Sequence, residues 1–251
     1  VGGRTNSLGK CSVALSDFWS QHNNPAGFAT RKDLSIGISY GNRFLLKELS
    51  NKDVGILLPI NIGTIGISFS QFGYEHYNEN LFGLGLSRSF GQNLRIGLKL
   101  YYMSIRFSEE YENRSLPTFD LGIQYQINKS LCLGAYIFNP INVRIGSLNK
   151  DKVPIIMRIG FAYHIVDEFM ICGEIEENFD DDFSFRFGLE YEVYKNVFVR
   201  SGFQLMPCLF TFGIGYDYKR FVVDVAAQMN QDLGVSMSCS MIFKINGINR
   251  M

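Results

Sequence analysis

Three histidines, His22, His76 and His164, are the only imidazoles in a chain of 251 residues. A hydrolytic site needs such a base beside a hydroxyl or thiol nucleophile. His164 is expected to point into the interior, near Ser184 or Glu174, where a bland interior histidine is the simpler reading. Glu176-Glu177 and Asp180-Asp181-Asp182 offer oxygen ligands for a divalent cation, though a solvated turn explains the same run. The glycine pairs Gly83/Gly85 and Gly213/Gly215 lack a following Gly-Lys-Ser/Thr and read as small residues within strands, not as phosphate loops. Cys11, Cys132, Cys172, Cys208 and Cys239 lie far apart, with no CxxC and no metal-ligand spacing. Their odd count leaves at least one thiol unpaired. No catalytic residue, metal or cofactor is expected, and the chain is read as a non-enzyme.

The elements that carry these residues are strands. Apolar and polar or small residues alternate from about Leu34 to Phe243, as in Leu34-Ser35-Ile36-Gly37-Ile38-Ser39-Tyr40 and Phe183-Ser184-Phe185-Arg186-Phe187-Gly188-Leu189. Period two gives each strand one apolar and one polar face. About fourteen strands are expected, over 33–42, 52–60, 63–73, 80–90, 93–107, 117–127, 130–138, 153–165, 168–177, 182–193, 196–205, 208–218, 220–229 and 233–245. At ~10 residues each they have the length a tilted strand needs to cross hydrocarbon. The connections average ~6 residues, which suits consecutive antiparallel hairpins.

The composition limits the alternatives. Lys and Arg number 24, and Asp and Glu number 24. That balance argues against nucleic acid as a partner, which selects for a basic excess. At 46% hydrophobic the chain is too apolar for disorder. Its apolar runs are too short for a membrane-spanning helix. The chain opens Val-Gly-Gly-Arg, without an initiating Met or an apolar targeting segment. A mature chain or a trimmed piece is expected to start in that way.

The apolar face is too large and too regular for a soluble sandwich. Its Leu, Ile, Phe, Val and Tyr rows fit a wall turned toward lipid, with small and polar residues turned inward. Closure removes the unpaired edges that lipid cannot tolerate. The expected fold is therefore all-β, a closed antiparallel transmembrane barrel in the bacterial outer membrane. Arg95, Lys99, Arg158, Glu174, Glu176, Arg186, Glu190, Glu192, Arg200, Asp217 and Asp224 then face the lumen. Neighbouring strands offer opposite signs: Arg158 beside the Glu174 strand, Glu174 and Glu176 beside Arg186, Glu190 beside Arg200, and Arg200 beside Asp217. A paired ladder filling the interior is expected, because an ion-selective pore presents one dominant sign.

Residues 1–32 do not alternate. Apolar anchors at Leu8, Val13, Leu15, Phe18 and Trp19 sit among polar residues, and an Asn24-Pro25-Ala26-Gly27 turn ends the stretch. Such a segment is too polar for lipid and is expected inside the barrel as a hatch. The expected organisation is thus a hatch over 1–32, a barrel over 33–245 and a tail over 246–251. The tail departs from barrels that end on an aromatic, since the last strand reaches Phe243 and runs on to Met251.

Gly3-Arg4, Leu8-Gly9, Val13-Ala14-Leu15, Asp17, Trp19 and Asn24-Pro25-Ala26-Gly27 together resemble the N-terminal signature of FadL-like outer-membrane proteins, in particular the PorV/PorQ branch of Bacteroidota. That resemblance implies a fourteen-stranded barrel with an N-terminal segment in its lumen. It also implies partnership with the envelope proteins of the type IX secretion apparatus. The alternative is FadL-type uptake of a hydrophobic small molecule through a wall opening at a strand kink. Pro59, Pro140 and Pro154 are the kink candidates, all near expected strand ends. Short connections and a charged lumen favour the secretion partner.

Overall fold

The computed structural model describes residues 1–107, 114–141, 143–145, 151–178 and 183–245. Sixteen strands follow in chain order: β1 (Leu34–Asn42), β2 (Ser50–Ile60), β3 (Gly63–Gly73), β4 (Tyr77–Phe90), β5 (Leu94–Phe107), β6 (Arg114–Gln126), β7 (Leu131–Phe138), β8 (Arg144–Ile145), β9 (Asp151–Lys152), β10 (Ile156–Val166), β11 (Phe169–Asn178), β12 (Ser184–Tyr194), β13 (Val197–Leu205), β14 (Leu209–Tyr218), β15 (Phe221–Asn230) and β16 (Gly234–Ile245). All except β8 and β9 join one closed antiparallel barrel of fourteen strands. The seam is the β1–β16 ladder, which runs from Leu34 opposite Ile245 to Asn42 opposite Met237. The two-residue strands β8 and β9 form a separate clasp in the β7–β10 connection. They are too short to show any alternation in sequence.

The faces are inverted relative to a water-soluble sheet. Ile38, Leu84, Leu100, Phe185, Phe212 and Val225 are exposed on the outer wall, while Ser35, Thr64, Ser87, Lys99, Asp120 and Gln124 are buried within. Exposed apolar rows around a whole circumference have a favourable environment only in hydrocarbon. Among the described residues no helix is long and apolar enough to cross a membrane; the crossing is made by strands. The protein is an outer-membrane β-barrel.

Two rims differ. The connections at 61–62, 91–93, 127–130, 167–168, 195–196 and 219–220 are tight turns. Those at the opposite rim are longer on average, with 43–49 and the clasp-bearing β7–β10 connection the largest. Short turns mark the periplasmic end of an outer-membrane barrel. Phe90, Tyr125, Tyr191, Tyr216, Tyr218 and Phe221 stand exposed close to that rim, as an interfacial aromatic girdle does.

Pro59 pairs with Thr64 inside an uninterrupted β2–β3 ladder, and Pro140 and Pro154 lie in the β7–β10 connection. None kinks a strand. The register shifts of the ladders fall between His164 and Val166 and between Glu192 and Tyr194, both at the short-turn rim.

Placing a guanidinium on the lipid face tests this inversion. Phe212→Arg, in the middle of β14, is expected to destabilise the barrel by about 2–4 kcal/mol, measured by urea-titrated folding into phospholipid vesicles. A loss below about 0.5 kcal/mol, typical of an exposed position on a water-soluble protein, counts against a lipid-facing wall.

Candidate functional site

Residues 1–33 precede β1 and pack against the inward faces of the strands. Two short helical turns, α1 (Gly3–Ser7) and α2 (Ser20–Asn23), and a 3-10 turn at Pro25–Phe28 make up their regular structure. Leu8, Val13, Leu15, Phe18, Trp19 and Phe28 are all essentially buried. The segment has a hydrophobic side of its own, and that side must be covered.

The Asn24-Pro25-Ala26-Gly27 run has a specific local role. The Asn24 side chain caps the 3-10 turn, accepting from the Ala26 N–H (3.1 Å), and donates through Nδ2 to the Val13 carbonyl (2.6 Å). Pro25 fills the first helical position, where its missing N–H costs nothing. Asp17 and Ser20 cap reciprocally, with Ser20 N–H donating to Asp17 Oδ1 (3.0 Å) and Asp17 N–H to Ser20 Oγ (3.1 Å).

The wall supplies what the segment's backbone lacks. Glu174 Oε2 accepts both the Ser12 and Val13 N–H groups at 2.7 Å. Gln124 donates to the carbonyls of Val13 (3.1 Å) and Leu15 (2.8 Å). Thr211 Oγ1 accepts from Gly9 N–H (2.8 Å) and donates to the Ser7 carbonyl (2.9 Å). Lys99 donates to the Gln21 carbonyl, and Arg95 to Ser16 Oγ (2.8 Å). Buried backbone groups need such partners.

The inward glycines mark where the segment touches the wall. A Cβ at Gly122 would lie 1.8 Å from Asn24 Oδ1, at Gly134 2.2 Å from the Val13 carbonyl, and at Gly202 2.1 Å from the Gly9 nitrogen. The small residues of period-two strands thus stand where two backbones approach closely. Gly213 also faces the segment, at Ser7, whereas Gly83 leaves room for the Lys99 side chain of the neighbouring strand β5.

The charges form two chains. Arg186 reaches Glu174 Oε1 (2.8 Å) and Glu176, and Glu176 also holds Arg158. Arg4 of the segment grips Glu190 with Nε (2.8 Å) and Nη2 (2.7 Å); Glu190 also holds Arg200, which reaches Asp224 Oδ1 (2.6 Å). Arg200 does not meet Asp217, contrary to expectation. Its register partner is Gly213 on β14, while Asp217 sits further along and takes Lys244 at 2.8 Å. Glu192 leaves the network as well, accepting the Asn196 N–H (2.6 Å) in the β12–β13 turn. His164 is corrected too: it is exposed at the short-turn rim opposite Met170, far in register from Ser184 and Glu174. Asp180-Asp181-Asp182 and the tail 246–251 lie outside the described residues. Among the described residues no cluster of three His, Cys, Asp or Glu could hold a metal ion. Sequence reading missed Gln124 and Thr211, whose types are ordinary and whose importance comes only from the backbone they face, and it named Arg4 only within the Gly3-Arg4 signature, without its grip on Glu190.

The outer wall carries a recess of about 680 Å³ across β6, β7, β10, β11 and β12. Ile123, Leu133, Ile159, Phe161, Ile175 and Phe185 line it, and Glu174 and Arg186 border it. It is large because Ala135 and Gly173 occupy two outward positions that bulky residues fill elsewhere.

No family model matches this chain, and no curated protein matches it. Solved structures do. The toluene transporter TodX of Pseudomonas putida aligns with a TM-score of 0.75 over 98% of both chains at 9% identity. The monoaromatic hydrocarbon channel CymD gives 0.70 over 98% of this chain and 97% of its own at 11% identity. A Pseudomonas aeruginosa FadL homologue gives 0.69 over 97% of each at 10% identity. The fold is that of these channels. The narrower likeness to PorV and PorQ gains no support from them.

Two measurements probe the seated segment. Gly122→Val places a side chain into Asn24 and is expected to unseat residues 1–33 without opening the sheet. Trypsin cleavage after Arg4 and Lys10 in the folded, heat-modifiable barrel should then rise at least about tenfold, as a loss of roughly 1.4 kcal/mol dictates. Unchanged protection sinks the packing described here. The second measurement is a pH profile. Burial, with Lys99 nearby, holds His22 well below the usual histidine range, and both ring nitrogens are buried without a partner among the described residues. The displaced segment titrates near ~6.5. Below that pH the displaced state takes up a proton that the seated state refuses, so seating is favoured above it and weakens as pH falls. Burial also lowers Lys10 to about 8, so its contribution changes only above that value, and lowers the Val1 amino group to about 6, which adds a limb of the same sign above that pH and leaves the part below it to His22. Cleavage should rise from pH 7.5 to pH 5 (~ values bracketing the histidine range), and the part of the rise below about pH 6 should be lost in His22→Phe; an unaltered profile in that variant rejects the assignment.

Proposed function

We propose that the protein is a non-enzymatic outer-membrane conduit for a small apolar molecule, with residues 1–32 as the hatch that occludes its lumen. The observation that carries this reading is the whole-chain fold likeness to toluene and monoaromatic hydrocarbon channels. The wall recess adds to it. Its volume lies in the range that small apolar ligands occupy, and it borders the Glu174–Arg186 pair that anchors the hatch. An apolar molecule arriving from the bilayer would meet a greasy recess backed by the anchor whose release frees residues 12 and 13.

The chemistry required is modest. The hatch is held by hydrogen bonds and ion pairs, which exchange for water without covalent change. Buried charges cost several kcal/mol when left unpaired, so the hatch stays seated until another arrangement satisfies Arg4, Glu174 and Glu190. The lumen charge network of Arg95, Lys99, Arg158, Glu174, Glu176, Arg186, Glu190, Arg200, Asp217 and Asp224 would act as the fixed counterpart of the hatch, not as an ion filter.

A partner-binding role is the second reading, and one observation favours it. The ladders run unbroken through the described bilayer-spanning register, so the wall has no gap in this state. A sealed barrel suits a protein that works through its outer surface against other envelope proteins. The secretion-apparatus partner suggested by the PorV/PorQ resemblance has no further support.

Uptake separates the two. Proteoliposomes bearing the barrel are expected to load toluene or a fluorescent fatty acid faster than protein-free vesicles. Ala135→Trp with Gly173→Leu, which fills the recess, should reduce that rate at least about tenfold. Equal loading with and without protein would falsify the conduit and leave the partner-binding role.

A further inference from the structure

Above the N-terminal segment, toward the long-connection rim, lies a second cavity of about 500 Å³. It is unlike the wall recess in place and in chemistry. Asn42, Asn51, Asp53, Lys10, Arg186 and Phe44 are the lining residues that matter. Asp53 is only 4% exposed. Its Oδ1 has no hydrogen-bond partner in the structure, although the Ser70 hydroxyl meets the same carboxylate. Asn42 Oδ1 and Asn51 Oδ1 are likewise buried and unpartnered, as is Arg186 Nε, whose two terminal nitrogens are committed to Glu174 and Glu176. The Val1 amino group is turned to Asn23 Oδ1 (2.8 Å). Four of the unpartnered buried polar atoms among the described residues thus belong to side chains that line one cavity.

We propose that this vestibule is a binding site for a small polyhydroxylated solute, a sugar of one or two rings, taken from the outside. The argument is one of satisfaction. Three oxygens lack a donor and Arg186 Nε lacks an acceptor, and the Lys10 ammonium on the same lining offers further donors. An anion could serve only the second set, and an ammonium ion only the first. A hydroxyl both donates and accepts, so a ring bearing several of them serves both sets from one molecule. Water entering the vestibule meets such groups singly, and a ligand whose hydroxyls take them over in one molecule gains the net worth of those hydrogen bonds. Phe44 and Leu233 lie on the same lining and offer an apolar surface to the hydrogen-bearing face of such a ring. Phe44 is fixed there by its own N–H, which donates to Ser236 Oγ across the barrel seam (3.0 Å). The site does not depend on the conduit reading, because it shares no apolar lining with the wall recess and opens at the water-facing rim.

A free oligosaccharide and the terminal sugars of an envelope glycolipid share this chemistry, and separate arms of one experiment distinguish them. The full barrel is purified in a zwitterionic or amine-oxide detergent, so that no sugar headgroup competes. Saturation-transfer NMR and calorimetry are run with maltose, trehalose and lactose, then with purified lipopolysaccharide. Inorganic phosphate and choline serve as charged controls. Saturable sugar binding is expected, weakened at least about tenfold by Asp53→Ala and by Asn51→Leu. Heat-modifiable migration checks that each variant still forms a barrel. Should one variant not fold, the other carries the test. Competition of lipopolysaccharide with the disaccharides identifies the glycolipid source, and its failure to compete identifies the free sugar. The proposal is overturned if no sugar arm saturates by about 10 mM, a dissociation constant too weak to mark a built site. It is also overturned if either variant folds and binds as the parent does, or if phosphate or choline binds while every sugar is silent.

Discussion

The carboxylate of Glu174 is the hinge of the whole interior. One oxygen takes two backbone N–H groups from the N-terminal segment, and the other takes Arg186. A buried carboxylate is tolerable only when charge and hydrogen bonds both compensate its lost hydration. Glu174 achieves this by borrowing donors from two parts of the chain more than 150 residues apart in sequence. The segment, in turn, could not enter a lipid-encircled cylinder without acceptors for its own N–H groups. Wall and filler each solve the other's desolvation problem, and the Arg4–Glu190–Arg200–Asp224 chain repeats the solution on the other side of the lumen.

The strands were legible because their physics is one-dimensional. A residue in a lipid-facing wall sees hydrocarbon or lumen according to parity alone, so alternation along the sequence carries the element, its faces and its inversion. Fourteen strands expected from that rule correspond to the fourteen barrel strands, with ends displaced by a few residues. Parity fails where the ladder slips. His164 and Glu192 lie next to register shifts at the rim, and there inward parity no longer means an inward position. Pairing across strands is harder to read again. Arg200 with Asp217 was a fair guess from strand adjacency, but the stagger between β13 and β14 places Asp217 beyond reach, and Asp224 from the strand after next takes its place.

The interior segment was legible in outline and opaque in detail. Its polar character and its apolar anchors excluded lipid, and the Asn-Pro-Ala-Gly run announced a turn. Nothing in the sequence says that Asn24 faces Gly122, or that Gln124 serves two carbonyls. Those facts depend on which wall residue stands opposite which turn, a three-dimensional register with no periodic signature. The glycines hold part of that information, since some inward strand glycines, Gly134 and Gly202 among them, stand where the backbone of the segment approaches, but they do not say which part of it.

The wall glycines also spread the grip on the segment around the ring. Gly37 near the seam meets Phe18, Gly122 and Gly134 across the ring meet Asn24 and Val13, and Gly202 meets Gly9. Contacts so distributed hold the segment from every side of the lumen, so that a larger residue at each wall glycine would press on a different stretch of residues 1–33.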